Sequence, residues 1–196
     1  MSASTAVEKV NLREALLTRR RARTPAERES AAEAIALHAA ALPALARATR
    51  VAAYLSLPSE PGTGPLLAWL AGRDVPVLVP VGRADRSMDW VEHTAGAVES
   101  GPLGVPEPSG RPLGPGALAT CGIALVPALA VDHAGNRLGR GAGYYDRALA
   151  DFPGVVCALV HDDELLPHVP HEPHDRPVDL VLTPAGVFRP SRDRDV

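Results

Sequence analysis

The sequence predicts one α/β domain: a mostly parallel, mixed sheet flanked by helices, with a helical pair at the N-terminus. Three observations carry this. Near-continuous apolar runs such as "CGIALVPALAV" and "GVVCALV" are what strands covered on both faces look like. Helix-like stretches separate them, as crossover connections in a parallel sheet require. No repeat or linker divides the 196 residues, a length that suits one domain.

The elements follow in order. Residues 1–45 hold two helices. In the first, Val10, Leu12, Leu16 and Leu17 form an apolar side, while Lys9 and Arg13 lie four apart on a polar face. This helix is expected to stop near Arg23. "TPAE" then starts the second: Thr24 caps, Pro25 suits the first helical position, and Glu27 reaches back to close a capping box. That helix should run to about Leu42. The α/β core spans residues 50–190. It opens with a buried strand, "RVAAYLSL", a loop, "PSEPGTGP", and a short helix, "LLAWLAG", ended by Gly72. Strands "VPVLVPV" and "MDWVEH" come next. Residues 95–120, rich in Gly and Pro, read as a long surface loop. "CGIALVPALAV" is a strand, "YYDRALADF" a helix, and "GVVCALV" and "VDLVLTP" the last strands.

Composition narrows the function. Hydrophobic residues make up 46% and charged residues 22%, ordinary globular usage. A net charge of -3 supplies no overall field toward nucleic acid or membrane, so neither is an expected partner. No apolar run approaches the ~20 residues of a spanning helix. The N-terminus turns charged too early for a signal-peptide apolar core. Cys121 and Cys157 sit in apolar strand-like runs and are too few for a disulfide framework. A soluble, cytoplasmic, monomeric protein with reduced thiols is expected. Among 20 basic residues there is a single lysine, Lys9, which suggests compositional drift toward arginine.

The stretch that carries chemistry is "RLGRGAGYYDR", Arg137 to Arg147. It follows a strand and opens a helix, where parallel sheets bind ligands. Gly139, Gly141 and Gly143 permit positive φ and close approach of the backbone to a ligand. Successive amides there can form an anion nest, and Arg137 and Arg140 add planar donors suited to phosphate oxygens. A purely structural glycine turn remains the other reading. The common nucleotide fingerprints do not fit: GxGxxG would need glycine at Tyr144, and no Lys-Ser or Lys-Thr follows.

"LVPALAVDHAGNRLGRGAGYYDRAL" resembles the signature of the 5-formyltetrahydrofolate cyclo-ligase family, also called methenyltetrahydrofolate synthetases. Lys9 with Arg13, "YLSLPSE" and "VPHEPHDRPVD" agree with the family in order, so the resemblance spans nearly the whole chain. It implies a fold grouped with sugar-phosphate isomerases and CoA-transferases. It also implies an enzyme of one-carbon metabolism whose co-substrate is ATP, used with Mg²⁺. ATP would phosphorylate the formyl oxygen on N5 of the folate, N10 would attack the formyl carbon, and phosphate would leave. The product is 5,10-methenyltetrahydrofolate. Positioning and charge neutralisation should supply most of such a rate.

The resemblance also implies the site. Lys9 and Arg13 match an N-terminal pair that contacts ATP. Arg137, Leu138, Gly139, Arg140, Gly141, Ala142, Gly143, Tyr144 and Tyr145 match the stretch that lines the nucleotide, with Arg140 and Tyr144 at the reacting centre. Ala142 departs from the usual glycine and is tolerable only at negative φ. Arg147 is expected on the helix surface. Leu55, Glu60, Met88, Trp90 and Tyr144 are the folate contacts, Glu60 suiting the donor-rich edge of the pterin. Met88 and Trp90, alternating in a strand, have core packing as their alternative. Asp146 and Asp175 are the magnesium candidates, with Asp179 the competitor of Asp175. His168, His171 and His174 invite a zinc reading, but three prolines prevent the helix that would align them. The alternatives are a non-catalytic nucleotide- or phosphate-binding regulator on the same scaffold, or an isomerase or transferase relative. The latter needs a buried acid–base carboxylate that does not stand out.

Overall fold

The computed structural model describes residues 3–83, 85, 87–96, 98–100, 106–172 and 175–191. Helix α1 runs Ala3–Ala22 and α2 Pro25–Ala40, and the junction is the expected capping box. The Thr24 hydroxyl accepts the Glu27 amide, while the Glu27 carboxylate accepts the Thr24 amide. A one-turn helix, α3 Pro43–Ala46, leads into β1 Val51–Ala52. Only the first two apolar residues of "RVAAYLSL" pair as a strand, because the chain turns off the sheet beyond Ala53.

After α4 Gly64–Ala71 come β2 Val77–Gly82 and β3 Met88–Glu92, which pair antiparallel. The expected 95–120 loop instead contains a hairpin, β4 Val98–Ser100 with β5 Pro106–Pro108, and a 3₁₀ turn at Pro115–Thr120. Next are β6 Ile123–Pro127, β7 Ala130–Asp132, β8 Arg137–Leu138, α5 Tyr144–Leu149 and β9 Val155–Leu159. Strands β10 Leu165–Leu166, β11 Leu180–Thr183 and β12 Gly186–Phe188 complete the chain.

The main sheet has the order β12-β11-β9-β6-β1-β2-β3. Its five inner strands are parallel and only the edges, β12 and β3, run against them. Alternate residues serve two cores. Val51, Val79, Ile123, Leu125, Leu159 and Leu182 pack under α2 and α4, whereas Ala52, Leu78, Val126, Val156 and Ala158 pack under α5 and Phe152. That explains the unbroken apolar strands. A third, smaller core joins Leu16 of α1 to Leu129, Leu138 and Val169 over the small sheet β10-β7-β8.

The chain lays β2 and β3 on one side of β1, then β6, β9 and β11 on the other. A crevice opens where such a sheet changes direction, beyond the carboxyl ends of its strands. Here that edge is formed by the ends of β1, β2 and β6.

Candidate active site

A cavity of about 320 Å³ fills this crevice. Its floor and sides come from the ends of β2 (Pro80, Gly82) and β6 (Pro127 to Leu129), from Met88 at the start of β3, from Glu60 beyond β1, and from the buried Arg20 of α1 and Arg137 of β8. Its lip is the glycine loop, Gly139 to Gly143, continuing into Tyr144, Tyr145 and Asp146.

The loop takes its shape from two left-handed glycines, Gly141 at φ +102° and Gly143 at φ +72°. Such φ values strain any residue with a Cβ, which accounts for both glycines. Gly139 does not use positive φ, and Ala142 keeps negative φ, so its methyl is accommodated. Among the described residues, the amides of Arg140 to Gly143 find no protein acceptor. They stand at the cavity lip as unpaired donors. Helix α5 is only six residues long, so the loop amides rather than a helix dipole define this anion-facing edge.

Helix α1 lies across the loop. Arg13 donates from Nε to the Gly139 carbonyl at 2.9 Å and covers Gly141 with its guanidinium. Lys9, one turn earlier, donates to Asp175 at 2.8 Å and Glu172 at 3.4 Å. The structure thus joins an expected nucleotide contact to an expected metal ligand as an ion pair. Asp179 lies elsewhere: its carboxylate accepts the Val156 amide at the amino ends of β9 and β11, the opposite edge of the sheet.

Arg137, 6% exposed, donates to Asp146 at 2.5 Å and lies over the Tyr145 ring at 5.7 Å. Asp146 therefore already holds a cation. The buried Arg137 Nε has no acceptor among the described residues, a donor left over in the cavity wall. Arg140 is exposed and donates to Glu60 at 3.1 Å. Glu60, 7% exposed, also accepts the Leu57 amide at 3.0 Å, which fixes its carboxylate. The Tyr144 hydroxyl donates to the Arg83 carbonyl and its ring edge lies against Gly82. Arg83 pairs with Asp89. Burial would raise the Asp89 pKa, but hydrogen bonds from Arg83, Trp90 and Gly114 outweigh it and keep the carboxyl below its ordinary value. Arg147, exposed as expected, reaches back to the Gly143 and Ala142 carbonyls and braces the loop. Asp132 shapes the approach to the loop, accepting the amides of Ala134, Asn136 and Val169.

Two expected folate contacts do not reach the cavity. Trp90 is 2% exposed and belongs to the core beneath it, two residues further along β3 than Met88. Leu55 is half-buried against the core under α2 and α4. Leu138 likewise packs in the small third core. Of the three histidines, His174 lies outside the described residues; His168 and His171 meet edge to face, and no metal-binding group of three side chains occurs among the described residues.

Sequence reasoning missed Arg20 and Glu164. Arg20 lines the cavity at 1% exposure, donating to both Glu164 oxygens at 2.7 and 2.8 Å and to the Ala128 carbonyl. Burial alone would lower its pKa; the bonds and charge of Glu164, with a smaller part from Glu60, hold it above the ordinary value. The signal was present in spacing. Lys9, Arg13, Leu16 and Arg20 recur at four, three and four residues, one face of a helix.

Fold and cavity together define an α/β protein with a cavity of small-molecule size at the carboxyl edge of its sheet. The sequence profile of the 5-formyltetrahydrofolate cyclo-ligase family matches residues 5–184, and the chain belongs to that family. It is 42% identical to the 5-formyltetrahydrofolate cyclo-ligase of Mycolicibacterium smegmatis, over 90% of this chain and 93% of that one. It is 32% identical to the Escherichia coli K12 enzyme of the same name, over 87% and 97%. The solved 5,10-methenyltetrahydrofolate synthetase of Aquifex aeolicus superposes with a TM-score of 0.80 at 26% identity, covering 96% of this chain and 95% of that one. The Mycoplasma pneumoniae synthetase shares the fold, with a TM-score of 0.73 at 18% identity over 90% and 99%.

Proposed function

We propose that the protein converts 5-formyltetrahydrofolate to 5,10-methenyltetrahydrofolate at this cavity, with ATP consumed to ADP and phosphate. One observation carries the reading. A lip of unpaired amides and guanidinium groups, suited to phosphate, meets a pocket walled by Glu60, Met88 and Tyr144, suited to a flat polar heterocycle. Each substrate has its half, and the two halves touch.

The formyl oxygen takes the terminal phosphoryl group from ATP, releasing ADP; N10 attacks the activated carbon and loses its proton to water, and the carbon–oxygen bond breaks to release phosphate. The chain's own work is positioning and neutralisation. Loop amides from Arg140 to Gly143, with Arg13 behind them, receive phosphate oxygens, and Arg140 stabilises the charge that builds as the phosphoryl group moves. Glu60 holds the heterocycle by its donor edge, and Tyr144 closes the wall between the two ligands. Mg²⁺ neutralises the phosphates of the nucleotide. Asp146, which lines the cavity and is now held by Arg137, would supply one of the one or two carboxylates the ion takes beside phosphate; Asp175, held by Lys9, is the second candidate.

The test is direct. Purified protein, MgATP and 5-formyltetrahydrofolate should give the near-ultraviolet absorbance of the methenyl product. Tight nucleotide binding with no ATP-dependent absorbance would instead assign the protein as a non-catalytic binding module.

A further inference from the structure

We propose that Arg20 and Glu60 together read the lactam edge of the pterin, making Arg20 the residue that selects a 4-oxo ring over a 4-amino ring. This rests on the function proposed above and assigns a specificity determinant to the same cavity.

Arg20 comes from α1 and Glu60 from the loop after β1, yet both border one cavity and both are nearly inaccessible. Buried ionisable groups are costly unless satisfied, so what each is satisfied by tells what remains for a ligand. Two Arg20 nitrogens are committed. Nε and Nη2 grip the Glu164 carboxylate side by side, and Nη2 also reaches the Ala128 carbonyl. The third nitrogen, Nη1, has no protein acceptor among the described residues and is not sealed off in the interior. With the charge already balanced by Glu164, Arg20 offers the cavity a directional donor rather than a free cation. Such a donor suits a neutral carbonyl oxygen better than a phosphate, and the phosphate donors lie at the lip.

Glu60 supplies the complement. Its Oε2 is fixed by the Leu57 amide and its Oε1 by the exposed, movable Arg140. If Arg140 turns toward phosphate, Glu60 gains an acceptor for ring N–H groups. A donor beside an acceptor is the pattern that matches a carbonyl next to a ring N–H. A 4-amino ring presents a donor where Arg20 also donates, and the mismatch leaves two buried donors facing each other.

The experiment measures binding without ATP, by calorimetry, of 5-formyltetrahydrofolate and its 4-amino-4-deoxy counterpart. The unaltered protein should prefer the 4-oxo ligand by about 10- to 100-fold, the range for one buried donor lost or opposed. In Arg20→Met that preference should fall to within about threefold, while Arg20→Lys, which keeps a donor, should retain an intermediate preference. Far-ultraviolet circular dichroism checks that each variant is folded. Should Arg20→Met not fold, the unaltered protein and Arg20→Lys decide. Equal affinity for the two ligands in the unaltered protein overturns the inference, as does an Arg20→Lys or Arg20→Met preference equal to the original. Absence of any 5-formyltetrahydrofolate binding would overturn the function itself, and with it this assignment.

Discussion

The floor and the lip of the cavity are both built from arginines, and they are opposite kinds of site. On the floor, Arg20 and Arg137 are almost wholly buried and each is matched to a carboxylate, Glu164 or Asp146. At the lip, Arg140 is 44% exposed on its side chain, although its partner Glu60 is itself only 6% exposed. Burial makes the floor guanidiniums rigid and intolerant of losing a partner. Exposure leaves the lip charges screened and cheap to the fold, free to follow a ligand. Nineteen in twenty basic residues being arginine hides this difference in the sequence; only the partners reveal it.

The largest expected effect breaks the floor. Glu164→Gln leaves Arg20 with a neutral partner at 1% exposure and should cost about 3–5 kcal/mol in urea unfolding. A loss under about 1 kcal/mol would mean that Arg20 is solvated, and the contrast between the regions would collapse. The lip should behave in reverse. Arg140→Ala is expected to cost less than Glu164→Gln, about 1 kcal/mol, because the buried Glu60 loses one partner but keeps the Leu57 amide. Its apparent ATP affinity should nevertheless weaken by roughly 1.5–3 kcal/mol, read from KM. An unchanged ATP requirement would remove Arg140 from the phosphate site.

Asp146 sits between the two regions. Because it holds the buried Arg137, Asp146→Asn should cost about 1–3 kcal/mol of stability as well as raise the Mg²⁺ concentration needed for activity. Lost stability with an unaltered Mg²⁺ titration would make Asp146 a partner of Arg137 alone. The smallest effect belongs to His161, 2% exposed, whose amide donates to Glu164 and whose pKa burial lowers. The unfolded chain then binds the proton more readily than the folded one. Stability is therefore full above about pH 6.5 and declines as pH falls below it, until the folded pKa is reached. His161→Gln should flatten that acid limb in thermal melts taken from pH 7 to pH 5. An unflattened limb would place the proton uptake on another group.

Much of the scaffold was legible because its signals are local. The capping box at Thr24 needs four adjacent residues, and strands covered on both faces announce themselves as apolar runs. The glycine loop was legible too, since left-handed backbone at Gly141 and Gly143 admits few other residues. What escaped depends on distant partners. Arg20 stood unnoticed in "TRRRAR" because its significance lies in Glu164, itself one of several acids in "HDDEL". Met88 and Trp90 share a strand face, and only register separates the one at the edge from the one beneath it. The pairing of Lys9 with Asp175 joins two residues whose separate readings gave no hint of contact.

Helix α1 binds the rest of the molecule through distant partners: Arg13, Arg20 and Lys9 meet groups 126, 144 and 166 residues further along the chain. The cavity wall therefore closes only when these long-range contacts form. Ligand should accordingly slow the release of that helix far more than the opening of the strands. Pulse-labelled amides that exchange equally in both, with and without ligand, would contradict this order.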